Sequence, residues 1–171
     1  MAAIVEVRVT YGESGSEQTV ESDAPNLNLL SVDDNVTLST VDNPIVIPDA
    51  GSNYSCERWF RVYVADMGGS SKLKNFRVYA DTDEPITNAV LKYGQTDTYD
   101  TPKDTASSIA TANIPTSEPA ENLYIGGAPD GEITAAGNYT DYGVLQLEVP
   151  STTVFGPSTT VNITIMWDEV A

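Results

Sequence analysis

In this 171-residue chain, apolar side chains recur at every second position in one stretch after another. No segment keeps the i, i+3, i+4, i+7 spacing of an amphipathic helix for three turns. A period of two places alternate side chains on opposite faces of a pleated strand, and such a strand buries its apolar face only against a second layer. Val5, Val7 and Val9 alternate with Glu6, Arg8 and Thr10. Val36, Leu38 and Thr40 repeat the pattern, and Ile45-Val-Ile47 is a short apolar run that Pro44 and Pro48 confine to a sheet edge or a bend. In residues 56–66, Phe60, Val62 and Val64 point one way and Trp59, Arg61, Tyr63 and Ala65 the other. Residues 73–80 return with Phe76, Val78 and Ala80 on one face, and Met67-Gly-Gly-Ser-Ser71 between the two predicts a hairpin. Residues 89–93, the set Leu145, Leu147 and Val149, and the set Val161, Ile163, Ile165 and Trp167 supply further strands. The best helical candidate, residues 105–113, is Ala/Ser-rich and long enough for one or two turns. The pattern predicts an all-β fold: an antiparallel β-sandwich or jelly roll of about eight to ten strands with one long loop.

The long loop is residues 94–121, rich in Thr, Asp, Ser and Ala and punctuated by Pro102, Pro115 and Pro119; a Gly-rich stretch at 126–142 follows it. Loops of such length in a compact domain usually have a task, and contact surfaces usually sit on them. The length suits one domain over residues 1–171. Within it, residues 1–55 suit either ordinary edge strands or an extended arm, given Pro25, Asn26, Asn28 and the Pro44/Pro48 pair.

Composition removes whole classes of chemistry. The chain has no histidine, which excludes Ser-His-Asp and Cys-His triads, His-ligated zinc and any His general base. Its single cysteine, Cys56, cannot close an internal disulfide and reads as a buried structural thiol. Against 25 acidic residues there are 8 basic ones, a net charge of −17, which disfavours duplex nucleic acid as a partner. The acidic excess suits solubility or, alternatively, a salty setting that screens self-repulsion. The N-terminal residues read as a strand and not a signal peptide, and no run reaches the length of a membrane helix. A soluble product of a reducing cytoplasm is expected, so the sequons at Asn35, Asn53, Asn138 and Asn162 are read as chance matches.

Carboxylates are the one abundant set of candidate chemical groups. Asp81, Asp83 and Glu84 cluster, and Asp97, Asp100 and Asp104 share the long loop; calcium ligation and a glycosidase acid pair are the functional readings. Neither cluster has EF-hand spacing, and solvated turn carboxylates are the ordinary reading. Gly12-Glu-Ser-Gly-Ser16 lacks the nucleophile-elbow spacing and reads as a turn. No catalytic residue, cofactor or metal site is therefore expected. The basic residues are more informative. Arg58, Arg61, Lys72, Lys74 and Arg77 are five of the eight, and Asp66 is the one acid among residues 58–77. They read either as solvated faces of the hairpin or as a positive stripe that docks on an acidic partner. Tyr54, Trp59, Tyr63, Tyr79, Tyr93 and Tyr99 suit core or interface packing, or stacking on sugars.

Three stretches carry a resemblance when taken in order. The first is Arg58-Trp-Phe-Arg-Val-Tyr-Val-Ala-Asp-Met67, followed by Gly68-Gly-Ser-Ser71 and Asn75-Phe-Arg-Val-Tyr79. The second is Asn122-Leu-Tyr-Ile-Gly-Gly127, with Ile133-Thr-Ala-Ala-Gly137, Asp141-Tyr142 and Leu145-Gln-Leu147. The third is Ile165-Met-Trp-Asp-Glu-Val170. Over roughly residues 55 to 170 this order resembles small virion structural proteins of tailed bacteriophages and related archaeal tailed viruses. The resemblance implies a β-sandwich mounted on the particle, as a capsid decoration (cement) protein or a neck or tail component. Its partners would be the major capsid protein or neck and tail proteins, and copies of itself in a homo-oligomer such as a trimer. It would be made in the host cytoplasm and end in the virion, with no nucleic acid, membrane or cofactor bound. A carbohydrate-binding sandwich used in host attachment is the rival expectation.

Overall fold

The computed structural model describes residues 1–24, 27–33, 44–156 and 159–171. Among them the chain is all-β, with ten strands in two antiparallel sheets stacked as a sandwich. The strands are β1 (Ile4–Tyr11), β2 (Gln18–Thr19), β3 (Ser52–Tyr54), β4 (Arg58–Asp66) and β5 (Lys72–Ala80). They continue with β6 (Val90–Thr96), β7 (Ala112–Asn113), β8 (Glu132–Ile133), β9 (Tyr142–Pro150) and β10 (Ile163–Val170). The larger sheet runs β2-β1-β4-β9-β6-β7, with β3 also paired to β9; the smaller runs β10-β5-β8. The sequence expectation at Val36, Leu38 and Thr40 lies outside the described residues, as do Asn35, Pro25 and Asn26.

The alternation read from sequence sets the core. Phe60, Val62 and Val64 of β4 and Leu145 of β9 meet Phe76, Val78 and Ala80 of β5 between the layers, all nearly inaccessible. Ile163, Ile165 and Trp167 of β10 pack against the same cluster, as the period of two requires. Leu73 joins them although it is three residues from Phe76. Asn75 adopts a left-handed conformation (φ 53°), and the β5–β10 register slips there, with Arg77 opposite Met166 but Lys74 opposite Asp168. This β-bulge adds a residue and restores the inward phase.

Two local expectations are corrected and a third is narrowed. Strands β4 and β5 are not a hairpin: residues 67–71 carry the chain from the larger sheet to the smaller, so consecutive strands face each other across the core. Residues 105–113 form no helix; Ala112–Asn113 instead pairs with Lys92 and Tyr93 at the edge of β6. Of the two options for Ile45-Val-Ile47, a sheet edge or a bend, the run takes no strand pairing, and Ile45 and Ile47 pack on Ala89, Leu147 and Val149. In the N-terminal third, β1 pairs along its length with β4, and residues 20 and 24 donate to Val9 and Val7 on its other edge. Residues 4–11, 18–20 and 24 thus belong to the larger sheet.

Strand β6 runs through Gly94, so the long loop begins after Thr96. Residues 97–111 lie across the outer face of the larger sheet, and from Ile114 the chain passes into the inter-sheet core and along β5. A Cβ at Gly94 would collide with the Ile109 carbonyl, which explains glycine inside a strand at this point. Gln146 of β9, 1% exposed, anchors the loop: the two Nε2 hydrogens are shared among the carbonyls of Ser55, Lys103 and Thr105 at 3.0, 3.2 and 2.8 Å, and Oε1 accepts from Ser107 N at 2.9 Å. Beside it the indole of Trp59 is fully buried against Tyr99 (centroids 4.9 Å apart) and Tyr142 (5.6 Å). Strand β9 is therefore buried on both faces along most of its length.

Candidate docking surface

Ahead of β9, residues 137–140 continue alongside β4: Gly137 N donates to the Val64 carbonyl, Val64 N to Asn138 and Thr140 N to Val62, at 2.8–3.0 Å. This extension brings Tyr139 next to Tyr63, with ring centroids 4.8 Å apart. The parity that turns Val7 and Val62 inward turns Arg8 and Arg61 outward beneath these rings. The Arg8 guanidinium lies 3.5 Å from the Tyr63 centroid, and that of Arg61 lies 4.6 Å from Tyr139 and 4.5 Å from Tyr142. The result is a ladder, Tyr63, Arg8, Tyr139, Arg61, Tyr142, that continues into the buried Trp59 and Tyr99. Cation–π contacts of this kind contribute about 0.5–2 kcal/mol each.

The two arginines of the ladder differ in what neutralises them. Arg8 is held by Glu6 (2.9 Å) and Glu21, and donates to the Tyr139 hydroxyl at 2.8 Å. Arg61 donates Nε to the Thr140 carbonyl at 2.8 Å and has no carboxylate within ion-pair distance among the described residues. It is half-buried, as are Tyr63, Tyr139 and Tyr142. Nη1 donates weakly to the Tyr142 hydroxyl at 3.5 Å, and among the described residues Nη2 has no hydrogen-bond acceptor of its own.

The five sequence-predicted basic residues do not form one stripe. Arg58 is buried, 2% exposed, and donates Nε to the Asn28 carbonyl at 3.0 Å. Arg61 belongs to the outer face of the larger sheet. Lys72, Lys74 and Arg77 lie on β5, in the smaller sheet. Lys72 is paired with Glu132 at 2.6 Å, Arg77 with Glu118 at 2.9 Å and Asp168 at 2.6 Å, and Lys74 stands opposite Asp168 and Glu132 in the register. The crossover between β4 and β5 sends a run of positive charge to two sides of the molecule. Arg8 and Tyr139, which complete the ladder, lie 131 residues apart in sequence, so only the fold brings them together.

The aromatic set divides in the same way. Trp59, Tyr93 and Tyr99 are buried, and the phenols of Tyr93 and Tyr99 donate to the Asn122 and Gly12 carbonyls, so none of the three is a sugar platform. Burial pushes both hydroxyls above the ordinary phenol range. Tyr79 donates to the Met166 sulfur at 3.2 Å, and Tyr54 lies half-exposed on β3.

The acidic clusters hold turns. Asp81 accepts from the backbone and side-chain nitrogens of Asn162, which keep its pKa low; Asp83 accepts from Asn113, and Glu84 from Asn88 N. Asp100 accepts from Thr101 N and Lys103, again with a lowered pKa, and Asp97 from the Thr98 hydroxyl. Among the described residues no three His, Cys, Asp or Glu side chains converge as a metal ion would require. The Cys56 thiol is buried, and burial, followed by nearby Asp33, pushes its pKa up to about 12.

Comparison of the chain with protein-family models, with curated proteins and with solved structures found no match in any of the three.

Proposed function

We propose that the protein is a non-enzymatic structural protein of a virus particle, a capsid decoration protein that stabilises the shell through protein–protein contacts. The placement in a virion rests on the sequence resemblance over residues 55 to 170. The observation that carries the binding role is the arginine–tyrosine ladder. Arg and Tyr are the residue types that concentrate binding energy in interfaces, and here they are pre-ordered on a rigid sheet. Arg61, lacking an acid of its own among the described residues, suits a carboxylate on a neighbouring protein. The clustered turn carboxylates, by contrast, are occupied in hydrogen bonds within the chain.

Co-sedimentation with particles stripped of decoration tests the reading. The wild-type chain binds in a salt-sensitive way, and Arg61→Ala weakens binding roughly ten- to thirtyfold, the loss of a charged anchor worth about 2 kcal/mol. Native mass spectrometry of the free chain gives a homo-oligomer, a trimer for a cement protein. Density at the portal vertex instead of the capsid faces would make it a neck or tail component. Failure to bind particles, together with glycan binding that needs Tyr63 and Tyr139, would replace the proposal with the host-attachment reading.

A further inference from the structure

Between the two sheets, on the side bounded by β10, lies an open cleft of about 1020 Å³. Leu29, Ile47, Leu147, Ile163 and Ile165 contribute to its walls. Among the described residues none of the lining side chains is charged, in a chain of which 19% of residues are charged. Three of the large apolar side chains that the fold leaves exposed, Val46 (65%), Val154 (55%) and Phe155 (94%), converge on this cleft. Exposed apolar groups gathered at an apolar cavity mark a binding site and not random surface.

The strand beside the cleft identifies the chemistry of what binds. Among the described residues β10 pairs with β5 alone. Asp81 N donates to the Asn162 carbonyl, which sets the phase of the ladder. Thr164 and Met166 bond β5, whereas Ile163 and Ile165 turn their N–H and C=O groups to the edge that no described residue pairs, and their side chains into the cleft. Along Ile163–Met166 the strand carries no Pro and no charged residue; Asp168, Glu169 and the register slip lie beyond that stretch. A row of donors and acceptors at strand spacing is matched by another polypeptide backbone and not by an acyl chain.

We infer that this edge and cleft form a second docking site, for an extended segment of a partner protein that adds to the smaller sheet beside β10. Its alternate, uncharged apolar side chains fill the cleft, and its backbone completes the ladder. The site is separate from the arginine–tyrosine ladder and does not depend on it.

Hydrogen exchange followed by NMR tests this, with a short acetylated peptide of alternating Thr and Val as the probe. In the free chain the Ile163 and Ile165 amides exchange fast while those of Thr164 and Met166 are protected. The peptide slows the first pair at least about tenfold, and a version with Pro at its centre does not. Phe155→Asp, at a position exposed enough to leave folding intact, abolishes the effect, and Arg61→Ala leaves it unchanged. Slow exchange at Ile163 and Ile165 in the free chain would show the edge already covered by this chain and overturn the inference. So would a cleft that takes up a fatty acid while the peptide leaves both amides fast.

Discussion

The two faces of the larger sheet invert the usual association between apolar sequence and tight packing. Its outer face, crossed by a loop made largely of Thr, Ser, Asp and Ala, is closed down to a backbone–backbone contact at Gly94. Part of its inner face, lined by Leu, Ile and Val, borders an open cleft. The difference lies in directionality. Apolar contacts tolerate many arrangements, whereas the four hydrogen bonds of Gln146 and the edge-on rings around Trp59 specify one. In this molecule a polar side chain, together with the aromatic cluster around Trp59, positions a loop poor in large apolar residues.

Truncations on the two faces test that contrast. Trp59→Ala has the largest expected effect, a loss of about 4 kcal/mol in urea unfolding, accompanied by proteolytic cleavage within residues 97–111. Gln146→Ala follows at about 2–3 kcal/mol, because the Ser55, Lys103 and Thr105 carbonyls lose a buried donor. Ile47→Ala, on the cleft, costs about 1 kcal/mol or less, since the side chain it removes already borders open space. Equal losses at Trp59 and Ile47 would break the comparison.

Two titrations sharpen it further. Since burial raises the Cys56 pKa, the fold favours the protonated thiol. Native protein resists thiol reagents at pH 8, and the associated stability is complete below the thiol's ordinary pKa of 9.0 and lost as the pH rises toward about 12. The smallest effect is at acid pH. Asp168 is held low first by the Asn75 hydrogen bond and then by Arg77, and Asp81 by Asn162. Their contribution is present above the ordinary carboxylate value of 3.8 and fades as the pH falls below it through the lowered values; Asp168→Asn flattens this acid limb of a Tm-versus-pH curve.

The inward set of each long strand was legible because a half-buried strand writes its orientation every second residue. Val5, Val7 and Val9, or Phe60, Val62 and Val64, need no further information. The step from strands to sheets was not legible. Residues 67–71 are equally good as a turn within one sheet and as a crossover between two, and the choice depends on β9, which takes the place beside β4 that a hairpin would give to β5. The bulge at Asn75 left a trace, an Asn between Leu73 and Phe76, which only a search for left-handed positions would have caught. Arg61 was marked by charge alone. Arg8 and Tyr139 carried no local signal, because their relation is made by pairing across most of the chain.

The position of β9 has a consequence for synthesis. In spatial order it stands between β4 and β6, yet it follows both of them in the chain. Until residue 150 has emerged, the nascent polypeptide holds two half-sheets with raw borders and no keystone, a state open to mispairing with other chains. Translation speed between residues 97 and 150, or a chaperone that shields those borders, would then bear on yield independently of the stability of the finished molecule.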